Sequence, residues 1–253
     1  MPTGPGQNPM QKSLGPNTNA PPEVLDERCV LCAGEDRDEL LEALGAASPR
    51  QAACHSRYRS YEFWRFKDFC MILSGIGTGC LEPLLFEILR PGIVRKIVLI
   101  GTAAIMPGAK VEMGEACLID EAWPAATGVD GEAAQLPFRP RCSPPVNLRR
   151  ASGVSTDFYY GFSPAILSNR YPIQGGRLRA LFEEHQRRGT QLVDMESAQF
   201  YCFCMYFGGS TLEYAAVKAP TNLAGFGDQQ IPYTRGALVN CLKTALQLLG
   251  VAS

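Results

Sequence analysis

The chain has 253 residues, 24 Lys and Arg against 25 Asp and Glu, a formal net charge of −1 and 46% hydrophobic residues. That length admits one large α/β domain or two small ones. The balance of charge argues against nucleic acid or a polybasic membrane contact as partner, and no apolar run approaches the roughly 20 residues needed to cross a bilayer.

The ten cysteines are scattered, mostly inside apolar segments. They read as small buried hydrophobes of a reducing compartment, which points to a cytoplasmic protein. Cys29-x-x-Cys32 lies along a predicted strand rather than opening a helix. No second pair completes a zinc site, so neither a metal nor a cofactor is expected. The two histidines, His55 and His185, sit in polar surroundings and are too few for a His-rich metal site or a His-based triad.

In chain order, residues 1–24 form a Pro-, Gly- and Asn-rich extended arm with too little apolar surface to fold alone, and residues 25–253 form the domain. Cys29–Ala33 is a buried strand, and Gly34-Glu35-Asp36 turns into a helix through Leu40, Leu41 and Leu44. Tyr61–Phe66 alternates as a half-exposed strand does, and Phe69–Leu73 follows as a buried one. Gly75-Ile76-Gly77 leads into a helix over Leu81–Leu89, ended by Pro91-Gly92. Ile97–Ile100 and Cys117–Ile119 are short apolar strands, and Ala125–Pro145 is a loop. Gly153–Thr156 and Leu192–Val193 bracket a helical stretch around Gly176–Arg188. Ala215–Lys218 is the last clear strand. Pro232–Leu249 closes the chain as an amphipathic helix with Leu238, Leu242, Ala245 and Leu249 on one face. Alternating strands and helices predict a single α/β domain with ligands at the strand ends.

One junction stands out. Val193 ends a strand, and Glu196 opens an apolar helical run from Phe200 to Phe207 that stops at Gly208-Gly209. A carboxylate there can accept from a pair of vicinal hydroxyls, or it can simply complement the helix dipole.

Several segments, in order, resemble the nucleoside phosphorylase family, most closely its uridine phosphorylase branch. Ser74-Gly75-Ile76-Gly77 is similar to the glycine turn before the family's first long helix. Ile97-Val98-Leu99-Ile100-Gly101-Thr102 is similar to its strand ending in Arg-x-Gly-Thr. Ser155-Thr156-Asp157-Phe158-Tyr159-Tyr160-Gly161 resembles its base-stacking segment, and Val193-Asp194-Met195-Glu196-Ser197 its ribose motif. Thr221-Asn222 and Gly227-Asp228-Gln229 resemble the branch's closing signature. The resemblance spans roughly residues 28–250. It implies a mixed β-sheet flanked by helices, ribose binding by Met195 and Glu196, base stacking by Phe158 and Tyr159, and a residual phosphate site at Gly34, Gly101 and Thr102. It also implies a homodimer or a hexamer built of dimers.

The departures are as informative. The family's arginine before Gly-Thr falls on Leu99, which has neither charge nor donor. A second family arginine aligns with Asp38, next to Arg37, and a third with Ser60, next to Arg59. The uracil readers after Gly161 fall on Phe162 and Pro164, which cannot pair with a polar base edge. The expected function is therefore a non-catalytic homologue with a structural or binding role. Its partners would be a nucleoside or ribosyl ligand, a second copy, or a larger assembly reached through the N-terminal arm. The alternative is a diverged enzyme cleaving the N-glycosidic bond, a nucleosidase or a phosphorylase. In hydrolytic relatives an Asp protonates the purine; the matching position is Asn222, which leaves Asp157 and Asp228 as candidate acids.

Overall fold

The first apolar run forms strand β1 (Arg28–Ala33), whose alternation divides the interior in two. Cys29, Leu31 and Ala33 enter one buried cluster, and Val30 and Cys32 enter the other. A strand covered on both faces has this period of two. The computed structural model describes residues 13–47, 51–129, 135–144, 147–158, 175–224 and 234–251.

Within it β1 pairs in parallel with β4 (Cys70–Ser74) on one side and β5 (Lys96–Ile105) on the other. The hairpin of β2 (Cys54–Tyr58) and β3 (Tyr61–Arg65) extends the β4 edge. Past β5 the nine-stranded sheet runs through β8 (Leu192–Asp194), β7 (Arg150–Ser155), β6 (Cys117–Pro124) and β9 (Glu213–Leu223). Because β9 also pairs with β5, these last strands close on themselves. Helices α2 (Thr78–Leu89) and α4 (Ser197–Phe207) cover one face, burying Leu81, Leu85, Phe200 and Tyr201. Helices α1 (Arg37–Ala47) and α5 (Thr234–Leu249) cover the other with Leu40, Leu44, Leu238 and Leu242. Helix α3 (Gly175–Arg188) packs Phe182 into a third cluster with Ala104, Met106, Val154 and Val193. The expected single α/β domain with a mixed sheet is thus observed. No described helix is long and apolar enough to cross a membrane.

Three differences from the sequence reading have physical causes. Strand β2 was not predicted, because Cys-His-Ser-Arg-Tyr lacks an apolar face; it forms as the outer partner of β3. Strand β3 is buried rather than half-exposed, Glu62 included. That carboxylate accepts from Arg37 Nε at 2.9 Å and lies 2.7 Å from His55 Nε2. Burial alone would raise its pKa, but Arg37 and His55 outweigh this and hold it below the usual range.

The third correction concerns the N-terminal arm. Leu14, Ala20, Val24 and Leu25 are buried in the main core, so the described part of residues 1–24 belongs to the domain. Its anchor is Glu87, buried on α2, whose carboxylate accepts from the backbone and side chains of Asn17 and Thr18 at 2.8–3.0 Å. Arg90 adds a bond to the Leu14 carbonyl at 3.0 Å. Polar residues that looked unable to fold alone satisfy one buried carboxylate instead.

Candidate functional site

Three chain segments converge where β5 meets β9. After β1, Gly34 adopts a φ of 77° and its N–H donates to the Ser74 carbonyl at 3.0 Å. A Cβ at Gly34 would lie 2.7 Å from the Ile76 side chain, so the turn needs glycine both for its conformation and for its space. This turn carries Glu35 to β5, where Glu35 Oε1 accepts from the Thr102 N–H at 2.5 Å. Gly101 is registered against Lys218 of β9. A Cβ at Gly101 would lie 2.9 Å from Lys218 Nζ and 3.1 Å from Glu35 Oε1, so an ammonium and a carboxylate converge on the space glycine leaves.

The β8–α4 junction completes the cluster. Asp194 accepts from Ser155 Oγ at 2.5 Å, from the Ser197 N–H at 3.2 Å and from the Ser197 hydroxyl. It thereby satisfies a donor at the start of α4, as a helix cap does. Glu196 stands at the N-cap position without a side-chain capping bond. Its carboxylate instead meets Lys218 Nζ at 3.0 Å, and Lys218 Nζ lies 3.6 Å from Asp194 Oδ2. Lys218, Asp194 and Glu196 are all buried.

Burial opposes charge on Lys218, but Glu196, Asp194 and Glu35 outweigh it and raise its pKa above the ordinary lysine range. The ammonium is therefore charged. Burial raises the Glu196 carboxyl, Lys218 opposes that, and the Asp194 charge adds to the rise. One cation thus serves several carboxylates, and its charge is spent internally.

The structure brings Gly34, Gly101, Thr102 and Glu196 into one cluster. Met195 is half-buried beside them, its carbonyl accepting from Gln199 Nε2 at 2.9 Å. Phe158 lies at the same sheet end, since Ser155 and Asp194 are registered neighbours on β7 and β8; its side chain is exposed. Tyr159, Phe162, Pro164 and Asp228 fall outside the described residues.

Position 99 is core: Leu99 is fully buried between β1 and β9, registered with Leu31 and Ala216. Neither neighbouring arginine replaces the missing cation. Arg37 is engaged by Glu62 and Asp38, and Arg59, at the hairpin turn with a φ of 53°, lies over the Tyr58 ring at 5.2 Å. Asp157 is not placed as an acid. It accepts from the Thr78 N–H at 3.1 Å, the Thr78 hydroxyl at 2.9 Å and the Gly128 N–H at 3.2 Å, fixing the start of α2. Asn222 is a half-buried residue of β9. Among the described residues no group of His, Cys, Asp and Glu could hold a metal ion. Two residues escaped the sequence reading, Glu35 and Lys218. The signal for Lys218 was present, since a lysine within the apolar run Ala215–Ala219 needs a buried counter-charge.

This architecture recurs in solved structures. The purine nucleoside phosphorylase of Toxoplasma gondii superposes with a TM-score of 0.67 at 15% identity, over 96% of this chain and 99% of that one. This is the nucleoside phosphorylase fold. The 5'-methylthioadenosine/S-adenosylhomocysteine nucleosidase of Colwellia psychrerythraea gives 0.62 at 15% identity, over 89% and 96% of the two chains. Futalosine hydrolase of Helicobacter pylori gives 0.61 at 14%, over 87% and 97%. At the level of sequence, no family profile and no curated protein matches the chain. Phosphorolytic and hydrolytic proteins therefore share this nucleoside phosphorylase fold, and the chemistry of the present chain must be argued from its own residues.

Proposed function

We propose that the chain is a nucleoside-phosphorylase-like protein that does not perform phosphorolysis and serves as a binding or structural module. Met195 and Glu196 would contact a ribosyl ligand, and Phe158 and Tyr159 would stack against its base. The observation that carries this reading is the internal use of Lys218. This ammonium, which approaches Gly101 of strand β5, is engaged by Glu196 and Asp194. Phosphorolysis requires cations that hold a phosphate dianion and stabilise charge at the reacting centre. Leu99, Arg37 and Arg59 do not supply them, for the reasons given above. The likeness to the uridine phosphorylase branch rests on the motifs alone, and Phe162 and Pro164 speak against uracil as the base. Assembly, as a homodimer or through the residues ahead of Leu14, belongs to the same proposal.

One observation favours a second reading. A carboxylate, Glu35, sits at the Thr102 amide, and a carboxylate can serve as general base toward a water molecule in N-glycosidic hydrolysis.

Calorimetric titration with ribonucleosides tests the binding role. Glu196→Gln should weaken a ribosyl ligand about tenfold, about 1.4 kcal/mol, because a neutral amide accepts hydroxyl protons less strongly. Equal affinity in the variant would remove Glu196 from the ligand contact. Release of free base during the titration would replace the binding reading with a catalytic one.

A further inference from the structure

We propose that the Glu35 carboxylate is a built-in anion, which holds the Thr102 amide beside the Lys218 ammonium and bars inorganic phosphate from the site. The inference deepens the non-phosphorolytic reading and rests on it.

The geometry is that of an anion contact. A backbone N–H donates to a carboxylate oxygen at 2.5 Å, shorter than an ordinary N–H···O bond. That oxygen and the Lys218 nitrogen both crowd the empty Cβ position of Gly101, at 3.1 and 2.9 Å. A phosphate oxygen seeking the same N–H would have to displace Glu35, because two anionic oxygens cannot share one donor at this distance without strong repulsion.

Charge acts in the same direction. Asp194 and Glu196 already pair with the Lys218 ammonium and Glu35 adds a third carboxylate nearby, so an incoming dianion would meet a surplus of negative charge. Glu35 and Thr102 are only half-buried, so the contact lies within reach of solutes. The class of ligand follows. A site with its own carboxylate at the Thr102 amide takes uncharged ribosyl compounds and rejects sugar phosphates and free phosphate.

The test uses the full-length chain with inorganic phosphate as probe, against potassium chloride of equal ionic strength. In Glu35→Ala the Thr102 amide is left without this anion. Phosphate at ten times its Kd should then raise the melting temperature by about 4 °C. The wild-type protein should show no rise beyond the chloride control. An equal rise in both proteins would overturn the proposal, as would no rise in Glu35→Ala.

Should Glu35→Ala fail to fold, Glu35→Gln keeps the side-chain volume and provides a second reading. The Thr102 amide proton, located by NMR, should move upfield in Glu35→Gln as its acceptor loses charge; an unchanged resonance would overturn the contact. The two proposals fail separately. Phosphate binding by the wild type without release of base would refute the built-in anion and leave the non-catalytic reading intact. Phosphate-independent cleavage of nucleosides would do the reverse.

Discussion

Lys218 Nζ lies 3.0 Å from Glu196 Oε2 in the middle of the fold, with both side chains closed off from solvent. Strand β9 supplies the cation and the β8–α4 junction supplies the anion, so the pair ties the edge of the site to its floor. Removing one member of such a pair is costly because the other stays buried without a counter-charge. Lys218→Ala should lower stability by about 3–5 kcal/mol in urea denaturation. The double variant Lys218→Met with Glu196→Gln should recover part of that loss. A single variant with unchanged stability would mean that water enters the cluster.

Gly101→Ala tests how tightly the charged groups close on the β5–β9 pairing. The added methyl would sit 2.9 Å from Lys218 Nζ and 3.1 Å from Glu35 Oε1. A cost of about 1–3 kcal/mol is expected, the usual range for overpacking. Tolerance within about 0.5 kcal/mol, the scale of an ordinary surface change, would show that Glu35 swings away freely.

The Glu87 anchor makes the N-terminal segment a contributor to stability. Deleting residues 1–20 removes Leu14 and Ala20 from the core and leaves Glu87 without Asn17 and Thr18. The melting temperature should fall, and Glu87→Ala alone should cost about 3 kcal/mol by stranding the donors it satisfies. Burial would raise the Glu87 pKa, but its hydrogen bonds outweigh this and lower it. Its contribution is therefore present above the unfolded carboxyl range and is lost as pH falls through the folded value. An unchanged melt after the deletion would contradict the packing described here.

His185 gives an acid sensitivity of known sign. It is buried on α3, with Nδ1 3.3 Å from Thr190 Oγ1. Burial, and then the nearby Arg188 charge, push its pKa down to about 4. Between about 6.5 and 4 the unfolded chain takes up a proton that the folded chain refuses, so stability drops as pH falls through that window. From pH 7 to pH 5 this loss should amount to about 2 kcal/mol, and His185→Gln should abolish it. Parallel stability curves for the two proteins would contradict the assignment.

Much of the fold was legible because its strands are apolar and their turns carry glycine. β1, β4 and α5 fall where periodicity and breakers place them, whereas β5, read as Ile97–Ile100, continues through Gly101 to Ile105 because its pairing with β9 carries it past the glycine. The β8–α4 junction was legible too, since β8 ends at Asp194 and Glu196 stands at the N-cap of α4. What remained hidden depends on contacts between distant residues. The Glu87 bonds to Asn17 and Thr18 span about 70 positions, so no local pattern marks residues 13–24 as ordered. Arg37 lies next to the position that a family arginine would take, and its pairing with Glu62, 25 residues away on β3, leaves no local mark in the sequence. Asp157 was weighed as an acid because its partners on α2 lie far away in sequence. Glu35 was read as part of a turn, and only the approach of Thr102 shows what its carboxylate does.

The central claim is that the charges beside Gly101 and Thr102 of β5 are satisfied from within the chain. The most direct measurement is chromatographic release of free base from a panel of purine and pyrimidine ribonucleosides, with and without inorganic phosphate. The account predicts no base above the uncatalysed background in either condition. Phosphate-dependent release at a rate typical of enzymes, above about 1 per second, would contradict it.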